Sequence, residues 1–344
     1  MQTVRLILVG LGNLGSRLCH ILQAKRDLLQ DRYGLDLTLV GAADSRGAAY
    51  DPVNGLDPGQ VAAIKTTGGS VADYPGCGRE SWPASDFVAT AQADALLEAS
   101  PVNLRKGAEP GISCIRVALR RRMHVVTANK GPLVLAYQEL QDLAATSGVQ
   151  LRFDGTVAGG LPALSLGQRD LRGAVIHQLE AVPNLCTGYV IDLLADGMTW
   201  DEACARAQEG GVLEGDGSWD LEGWDAAAKL VILANAVLRR PTRIDEVSRT
   251  GIIGLDANRL QAAREHGERY RLLAKATRDT AGAYRLSVAP TSLSPAHPLG
   301  RLGRKQMGIV YETDIYGTIT ATIDEPSPMP SAAAMLRDVL DIYA

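Results

Sequence analysis

The chain has 344 residues, 46% of them hydrophobic, which is enough to bury a large core and suggests two domains. Its 35 basic and 39 acidic residues give a net charge of −4 without a long basic run, so the composition argues against nucleic-acid or membrane partners. The sequence has neither an 18-residue apolar run nor a signal pattern at its start, and we therefore expect a cytoplasmic protein.

The first predicted element is a buried strand at Val4–Val9, followed by the glycine motif Gly10–Gly15 and a helix over about 16–30. Strand, glycines and helix in this order are typical of a dinucleotide-binding turn, where glycines permit a tight turn and a close approach to the pyrophosphate. The helix N-terminus would also offer N–H groups to the phosphates. The alternative is a glycine-rich turn without a ligand. The predicted cofactor contacts here are Gly10, Gly12, Asn13, Leu14 and Gly15.

A second strand is predicted at Leu37–Ala43, and Asp44 follows where an acidic residue would bind the ribose hydroxyls. Asp44 favours NAD, whereas Arg46 and Lys65 could hold the 2′-phosphate of NADP, so the sequence leaves NAD or NADP open. The segment 47–84 is rich in Gly, Ala, Ser and Pro, and only a helix near 58–64 is predicted within its loops.

The next segments continue the alternation of strands and helices. Strands are predicted at 93–98, 124–127 and 150–153, with helices over about 112–122 and 133–147. This pattern predicts the α/β class, a doubly wound parallel Rossmann-type sheet. Because ligands bind at the carboxyl ends of such strands, Ser100, Thr127 and Asn129 are predicted cofactor contacts and Lys130 is a site candidate. As an isolated pattern, Lys130 would instead be a solvated lysine.

After a second glycine-rich turn at 154–162, the sequence changes character. Strands near 174–181, 284–290 and 308–323 mix with helices near 187–196, 199–209 and 224–238, which is typical of an α+β domain with an antiparallel sheet. A final amphipathic helix at 331–343 could pack on the first domain. We predict a dinucleotide-binding domain of residues 1–150 plus 327–344, and a substrate-binding and dimerisation domain of residues 151–326.

The helix predicted at 224–238 is apolar on every side, which is typical of a buried helix. Asp225 and Lys229 nevertheless lie four residues apart on one of its faces. Because buried charges need a partner or a purpose, the pair is either a simple ion pair or part of a site. The five histidines are dispersed, so a lysine is the better candidate for moving a proton.

Three segments, His124–Pro132, Thr156–Pro162 and Asp220–Leu230, give the chain a resemblance to the short form of homoserine dehydrogenase, without a regulatory domain. The resemblance covers nearly the full length. It implies an NAD(P)-dependent oxidoreductase that converts L-homoserine to L-aspartate 4-semialdehyde in threonine and methionine biosynthesis, and it implies a homodimer.

The resemblance also implies roles for individual residues. Lys130 and Lys229 would lie beside the reacting hydroxyl, with Lys229 as the acid/base because a helix orients it. Glu214 and Asp225 would hold the substrate ammonium, and Asp220 would lie near the reacting oxygen. The turn after the first domain would match a monovalent-cation site, with oxygens from Asp154, Val157, Gly159 and Leu161.

Two segments depart from the family pattern: a proline-rich turn at Asp324–Pro330 before the last helix, and a turn at the predicted substrate pocket. The turn before the helix near 187 reads Pro183–Tyr189, where the family usually has an Asn-Gly-Thr-Thr-Asn-Tyr-like sequence. Asn184 and Cys186 are predicted substrate contacts, but Leu185 and Cys186 add bulk and remove a hydroxyl. Two alternatives therefore stay open: a dehydrogenase of the same fold acting on another small alcohol or aldehyde, and a non-catalytic NAD(P)-binding protein.

Overall fold

A computed structural model describes residues 1–213, 215 and 217–344, so the predicted substrate residue Glu214 lies outside the described residues. The described chain divides into two compact units. Unit 1 comprises Met1–Gly160 and Ser327–Ala344, and unit 2 comprises Leu161–Pro326. No helix within the described residues has the length and apolarity needed to cross a membrane.

The elements are numbered in chain order. The strands are β1 (Gln2–Val9), β2 (Leu35–Ala43), β3 (Gly47–Tyr50), β4 (Gly78–Glu80), β5 (Ala95–Glu98), β6 (His124–Thr127), β7 (Leu151–Arg152), β8 (Ile176–Val182), β9 (Ser248–Arg249), β10 (Arg269–Arg278), β11 (Tyr284–Leu293), β12 (Gln306–Thr313) and β13 (Gly317–Asp324). The helices are α1 (Asn13–Ala24), α2 (Arg26–Tyr33), α3 (Pro58–Thr66), α4 (Ala84–Thr90), α5 (Gly111–Arg120), α6 (Lys130–Ser147), α7 (Ala163–Ser165), α8 (Leu185–Ala195), α9 (Trp200–Glu209), α10 (Ser218–Leu221), α11 (Trp224–Ala236), α12 (Ala257–Glu265) and α13 (Met329–Tyr343).

Unit 1 is built on one sheet with the strand order β4-β3-β2-β1-β5-β6-β7. β1 pairs in parallel with β2 and β5, and β6 pairs in parallel with β5 and β7, so the carboxyl ends of these strands meet at one edge. The chain runs from β1 to β2 on one side and later to β5 on the other, which places a topological switch point beside the β1 turn. The predicted doubly wound α/β class is confirmed.

The segment 47–84 contains more regular structure than the sequence predicted. β3 and β4 extend the sheet as antiparallel strands, and α4 follows them. The run of small residues Gly47-Ala48-Ala49 in β3 carries little intrinsic strand preference. Close packing against β4 requires small residues there, because a Cβ on Gly47 would lie 2.2 Å from the Arg79 carbonyl oxygen.

The core of unit 1 joins both parts of the chain. Leu6 and Leu8 of β1 and Leu18 of α1 are fully buried in one hydrophobic cluster with Met335 and Val339 of α13. Burying a side chain of this size contributes about 1.5 to 3 kcal/mol. The apolar stripe of α13 therefore fixes the C-terminal segment in unit 1, against β1 and α1.

Unit 2 is built on a second sheet, with the order β13-β12-β8-β10-β11-β9. Its pairs are antiparallel apart from β9 with β11. β10, which the sequence did not reveal, lies in the middle of this sheet. The buried face of α11 packs against β10 and β11, as the all-round apolar pattern indicated, and the helix ends at Ala236. The sheet thus supports the helix that carries Asp225 and Lys229.

Candidate active site

The turn between β1 and α1 is shaped by its three glycines. Gly10 has a φ of +94°, and a Cβ there would lie 2.4 Å from the carbonyl group of Ala99. A Cβ on Gly15 would lie 2.0 Å from the Gly10 oxygen, so this position holds α1 close to the turn. A Cβ on Gly12, by contrast, would meet no heavy atom within 4 Å. Gly12 lies at the start of α1 and faces open space, the arrangement that a close approach of a pyrophosphate to the backbone requires.

The other two predicted residues of this turn have different surroundings. Asn13 is exposed, and its Oδ1 accepts a hydrogen bond from Nη1 of Arg17 at 3.2 Å. Leu14 is half-buried and packs against the hydrophobic cluster of unit 1. A cofactor would therefore find the polar side chain of Asn13 and the backbone of the turn on the open side.

Asp44 follows β2 and is saturated with donors. Its carboxylate accepts hydrogen bonds from Lys65 Nζ and Ser70 Oγ at 2.8 Å, and from the amides of Arg46 and Val71 at 2.9 and 3.1 Å. Burial alone would raise the pKa of Asp44, but these hydrogen bonds, led by that of Lys65, lower it below its usual value. Asp44 is thus ionised, and its hydrogen bonds hold the loop after β2 together.

The two cations predicted beside Asp44 differ in their accessibility. Lys65 is held by Asp44 and by the Gly69 carbonyl oxygen at 2.9 Å. The Arg46 side chain is 54% exposed, and its guanidinium lies 3.7 Å from Asp73 and 3.6 Å from Glu80. The structure brings Asp44, Arg46 and Lys65 together, with Arg46 as the cation better placed to meet a phosphate from solvent.

Glu98, at the end of β5, was missed by the sequence prediction. It is fully buried, and it accepts hydrogen bonds from the Ser100 amide at 2.9 Å, from the Ser100 hydroxyl, and from Thr127 Oγ1 at 2.8 Å. Burial raises its pKa, and these hydrogen bonds only partly oppose the rise. The available signal was a lone acidic residue closing an apolar strand.

The same network continues to the start of α6. Thr127 Oγ1 accepts from the Asn129 amide at 3.0 Å, and Asn129 Nδ2 donates to Ser100 Oγ at 3.3 Å. The side chain of Asn129 caps the helix by accepting from the Gly131 amide at 3.0 Å. The predicted residues Ser100, Thr127 and Asn129 are therefore one buried network, and it fixes the backbone from which the half-buried Lys130 extends.

A second polar cluster lies in unit 2 and contains four of the predicted site residues; we call it the lysine–carboxylate cluster. Lys229 Nζ lies 2.7 Å from Asp225 Oδ2 and donates to the Pro183 carbonyl oxygen at 2.7 Å. Asn184 Nδ2 donates to the same Asp225 oxygen at 2.6 Å and to Asp220 Oδ1 at 2.5 Å. The Asp225 and Lys229 side chains are only 4% and 14% exposed.

Helix starts explain why these side chains converge. α11 begins after Gly223, whose φ of +83° permits the sharp turn from α10, and Asp225 lies in its first turn. Asn184 is the N-cap of α8 and accepts from the Thr187 amide at 2.9 Å. Carboxylates near helix N-termini are stabilised by the exposed amides and the helix dipole. The ion pair that the sequence allowed between Asp225 and Lys229 is present.

Cys186 lies in the first turn of α8 and is buried. Burial, with the nearby charges of Asp220 and Asp225, raises the pKa of its thiol, so the side chain remains a neutral SH group. The structure thus brings this predicted substrate contact to the edge of the lysine–carboxylate cluster.

The turn predicted to bind a cation already holds a positive charge. Nη2 of Arg337, on α13, donates to Asp154 Oδ2 at 2.7 Å, and its Nη1 donates to the Gly160 carbonyl oxygen at 3.0 Å. The Asp154 amide donates to Asp338 Oδ2 at 2.8 Å. The other predicted cation ligands are Val157, which is buried, Gly159, which is half-buried, and Leu161, which is the first residue of unit 2.

Comparisons with known proteins match both units. The family described as homoserine dehydrogenase matches residues 162–340, and its NAD binding domain matches residues 10–154. The NAD(+)-dependent homoserine dehydrogenase of Pseudomonas canavaninivorans is 31% identical, over 100% of this chain and 97% of that protein. The homoserine dehydrogenase of Methanocaldococcus jannaschii is 32% identical over 98% of each chain. The crystal structure of homoserine dehydrogenase from Thermoplasma acidophilum has a TM-score of 0.84 and 26% identity, covering 98% of both chains.

Proposed function

Because the chain belongs to the homoserine dehydrogenase family, we propose that it oxidises L-homoserine reversibly to L-aspartate 4-semialdehyde, with NAD or NADP as the hydride acceptor. The lysine–carboxylate cluster is the observation that carries this proposal. It offers a lysine for the hydroxyl proton, and carboxylates for the ammonium group that distinguishes homoserine from a simple alcohol.

The cofactor is bound by unit 1 in this proposal. The open space at Gly12 receives the pyrophosphate, while Ser100, Thr127 and Asn129 border the strand ends near the nicotinamide. The nicotinamide, when bound, accepts a hydride from the carbinol carbon. The Pseudomonas relative is named as NAD(+)-dependent, and Arg46 offers this chain a contact for the 2′-phosphate of NADP. We therefore propose that both cofactors bind and that Arg46 determines the ratio of their affinities.

In this proposal, substrate binding breaks the ion pair between Lys229 and Asp225. Asp225 Oδ2 is shared between Lys229 and Asn184. The ammonium of homoserine competes for the same carboxylate, with Asp220 and Glu214 as further carboxylates for the substrate. When the substrate takes Asp225, Lys229 loses its partner and becomes available to the hydroxyl. Lys229 is therefore released for proton transfer only when a substrate with an ammonium group is present.

Lys229 then moves the proton. On release from Asp225, Nζ gives one proton to solvent. The neutral amine then accepts the hydroxyl proton as the hydride leaves the carbinol carbon, and it returns that proton in the reverse reaction. The Pro183 carbonyl oxygen, 2.7 Å away, keeps Nζ at a fixed position during the exchange. For Lys130 we propose the supporting role of stabilising the developing alkoxide. General acid/base catalysis of this kind contributes about 10² to 10⁴ in rate.

The test is NAD(P)H formation by the wild type and by Lys229→Ala. We expect turnover of L-homoserine, and its loss by about 10² to 10⁴ in the variant with cofactor affinity unchanged. 4-Hydroxybutanoate, which lacks the ammonium, should be a poor substrate. Turnover of a different small alcohol alone would support the alternative that Cys186 suggests. Cofactor binding with no turnover of any compound would support the non-catalytic alternative.

A homodimer in the cytoplasm completes the proposal. β13 ends the sheet of unit 2, and its residues from Gly317 to Ile323 are uncharged and alternately exposed. Edge strands that avoid pairing usually carry lysine or proline, and this one carries neither. Light scattering should give the mass of two chains for the wild type and of one chain for Thr320→Lys. A wild type that is monomeric at all concentrations would contradict the dimer.

A further inference from the structure

The turn after β7 is bound by a cation that belongs to the chain itself. Arg337 connects two parts of this turn, the side chain of Asp154 and the carbonyl oxygen of Gly160, at 2.7 and 3.0 Å. Asp154 is 3% exposed, so its charge is removed from water and needs a positive partner. The guanidinium supplies that partner without any bound ion.

Arg337 shares one ligand with the predicted cation site, Asp154, which is the only charged residue of that predicted set. Carboxylate and carbonyl oxygens suit hard cations, and they are equally the preferred acceptors of a guanidinium. Once Arg337 occupies the Asp154 oxygen and the Gly160 carbonyl oxygen, a second positive charge would be repelled by the first. The residues present therefore do not fit a diffusible cation at the turn.

The position of Arg337 is set by the fold rather than by its own flexible side chain. α13 is anchored by the buried residues Met335 and Val339, which flank Arg337 on the helix. The neighbouring Asp338 is also buried and accepts from the Asp154 amide at 2.8 Å. Two consecutive side chains of α13 thus contact the same residue of the turn, so the guanidinium has little freedom to leave.

We propose that Arg337 is a built-in cation. Its guanidinium takes the place of the monovalent cation that the family resemblance implies at this turn, so that the protein binds neither Na⁺ nor K⁺ there. Replacing Arg337 by an uncharged residue would leave Asp154 without this partner and would open the turn to a small cation. This inference depends on the contacts within unit 1 and is independent of which substrate the protein oxidises.

The wild type provides the first test. Its thermal unfolding and its NAD(P)H binding are measured in choline chloride and in NaCl or KCl at equal ionic strength. We expect the same unfolding temperature and the same cofactor affinity in all three salts. An unfolding temperature that rises by several degrees in NaCl or KCl would overturn the proposal, whatever the activity of the protein.

Variants of Arg337 provide the second test. Arg337→Met keeps an unbranched apolar stem and removes the charged guanidinium, Arg337→Ala removes stem and charge, and Arg337→Lys retains the charge. We expect the Met and Ala variants to unfold several degrees lower in choline chloride and to be partly restored by millimolar Na⁺, K⁺ or guanidinium. The Lys variant should respond least to added cations.

Arg5 offers a matched control in the same unit. Its side chain donates two hydrogen bonds to Asp94, at 3.3 and 3.0 Å, but the pair is exposed. Arg5→Ala should show no difference between choline and the alkali cations. If the unfolding temperatures of Arg337→Met and Arg337→Ala respond to added cations no more than that of Arg5→Ala, Arg337 does not take the place of a cation at this turn. The proposal is then wrong. Should Arg337→Ala fail to fold, the Met variant and the wild-type comparison still decide the question.

Discussion

The cofactor turn of unit 1 and the lysine–carboxylate cluster of unit 2 are organised in opposite ways. The turn is made of backbone, and its central position, Gly12, opens onto empty space. The cluster is made of side chains, and Lys229, Asp225 and Asn184 are already bonded to one another. A backbone site can be open before its ligand arrives because it buries no unpaired charge. A site of buried charges needs internal partners until the ligand replaces them.

The largest expected effect concerns the cluster. Asp225→Asn removes the carboxylate that holds Lys229 and that we propose for the substrate ammonium. Truncating one partner of a buried charge pair typically costs 2 to 5 kcal/mol, so we expect kcat/KM for L-homoserine to fall by about 10² to 10³. Steady-state kinetics with L-homoserine and 4-hydroxybutanoate provide the measurement.

Glu222 offers the control for this change. It lies just before α11 and accepts from Trp224 Nε1 at 2.9 Å, outside the lysine–carboxylate cluster. Glu222→Gln should leave kcat/KM within a small factor of the wild-type value. Equal losses for both compounds in Asp225→Asn would show that Asp225 does not recognise the ammonium.

Two alanine substitutions separate the contribution of the cofactor turn to cofactor binding from its contribution to folding. Gly12→Ala places a methyl group in the open space and should weaken NAD(P) binding by about 5- to 100-fold while leaving stability within about 0.5 kcal/mol. Gly15→Ala forces a Cβ against the Gly10 oxygen and should destabilise unit 1 by about 1 to 3 kcal/mol. Cofactor titration and chemical unfolding measure the two effects. Equal behaviour of the variants would contradict the assignment of Gly12 as the open position.

The contrast between these regions also explains what the sequence could predict. β1, the glycine turn and α1 are contiguous, so their order alone identified the cofactor turn. Asp225 and Lys229 are four residues apart on one helix, and their contact follows from helical geometry. Local patterns of this kind are determined by the residues that display them.

The features that were missed depend on distant parts of the chain. Arg337 and Asp154 are separated by 183 residues, and neither carries a local signal of the other. β10 has charged residues at both ends, and its place between β8 and β11 follows from tertiary pairing. From the sequence, Glu98 could be identified only as an isolated acidic residue. Its role as the acceptor for Ser100 and Thr127 required the neighbouring strand.

The third expected effect concerns Arg46 and the preference between NAD and NADP. Arg46→Ala removes the exposed guanidinium beside Asp44 and should weaken NADP binding by about tenfold, because one charge-assisted hydrogen bond is worth about 1.5 to 3 kcal/mol at most. NAD binding should not change. Arg79→Ala, an exposed arginine on the adjacent β4, controls for the loss of net charge. An unchanged NADP affinity in Arg46→Ala would exclude the 2′-phosphate role.

The smallest expected effect concerns Glu98, the buried carboxyl group in unit 1. Because burial raises the pKa of Glu98 above its usual value, the stability that this group contributes is complete at low pH and declines as the pH rises through the folded-state pKa. Glu98→Gln has no such decline. Its unfolding temperature should therefore rise relative to wild type by a few degrees between mildly acidic and mildly alkaline pH.

Glu139 gives this prediction a control of opposite sign. Hydrogen bonds from Arg116 at 2.7 Å lower the pKa of the exposed Glu139, so its contribution to stability is present at neutral pH and is lost on acidification. Glu139→Gln should therefore lose stability relative to wild type as the pH rises, by a small amount because the pair is exposed. Thermal unfolding of both variants across the same pH series measures the difference. Parallel curves for the two would mean that burial does not raise the pKa of Glu98.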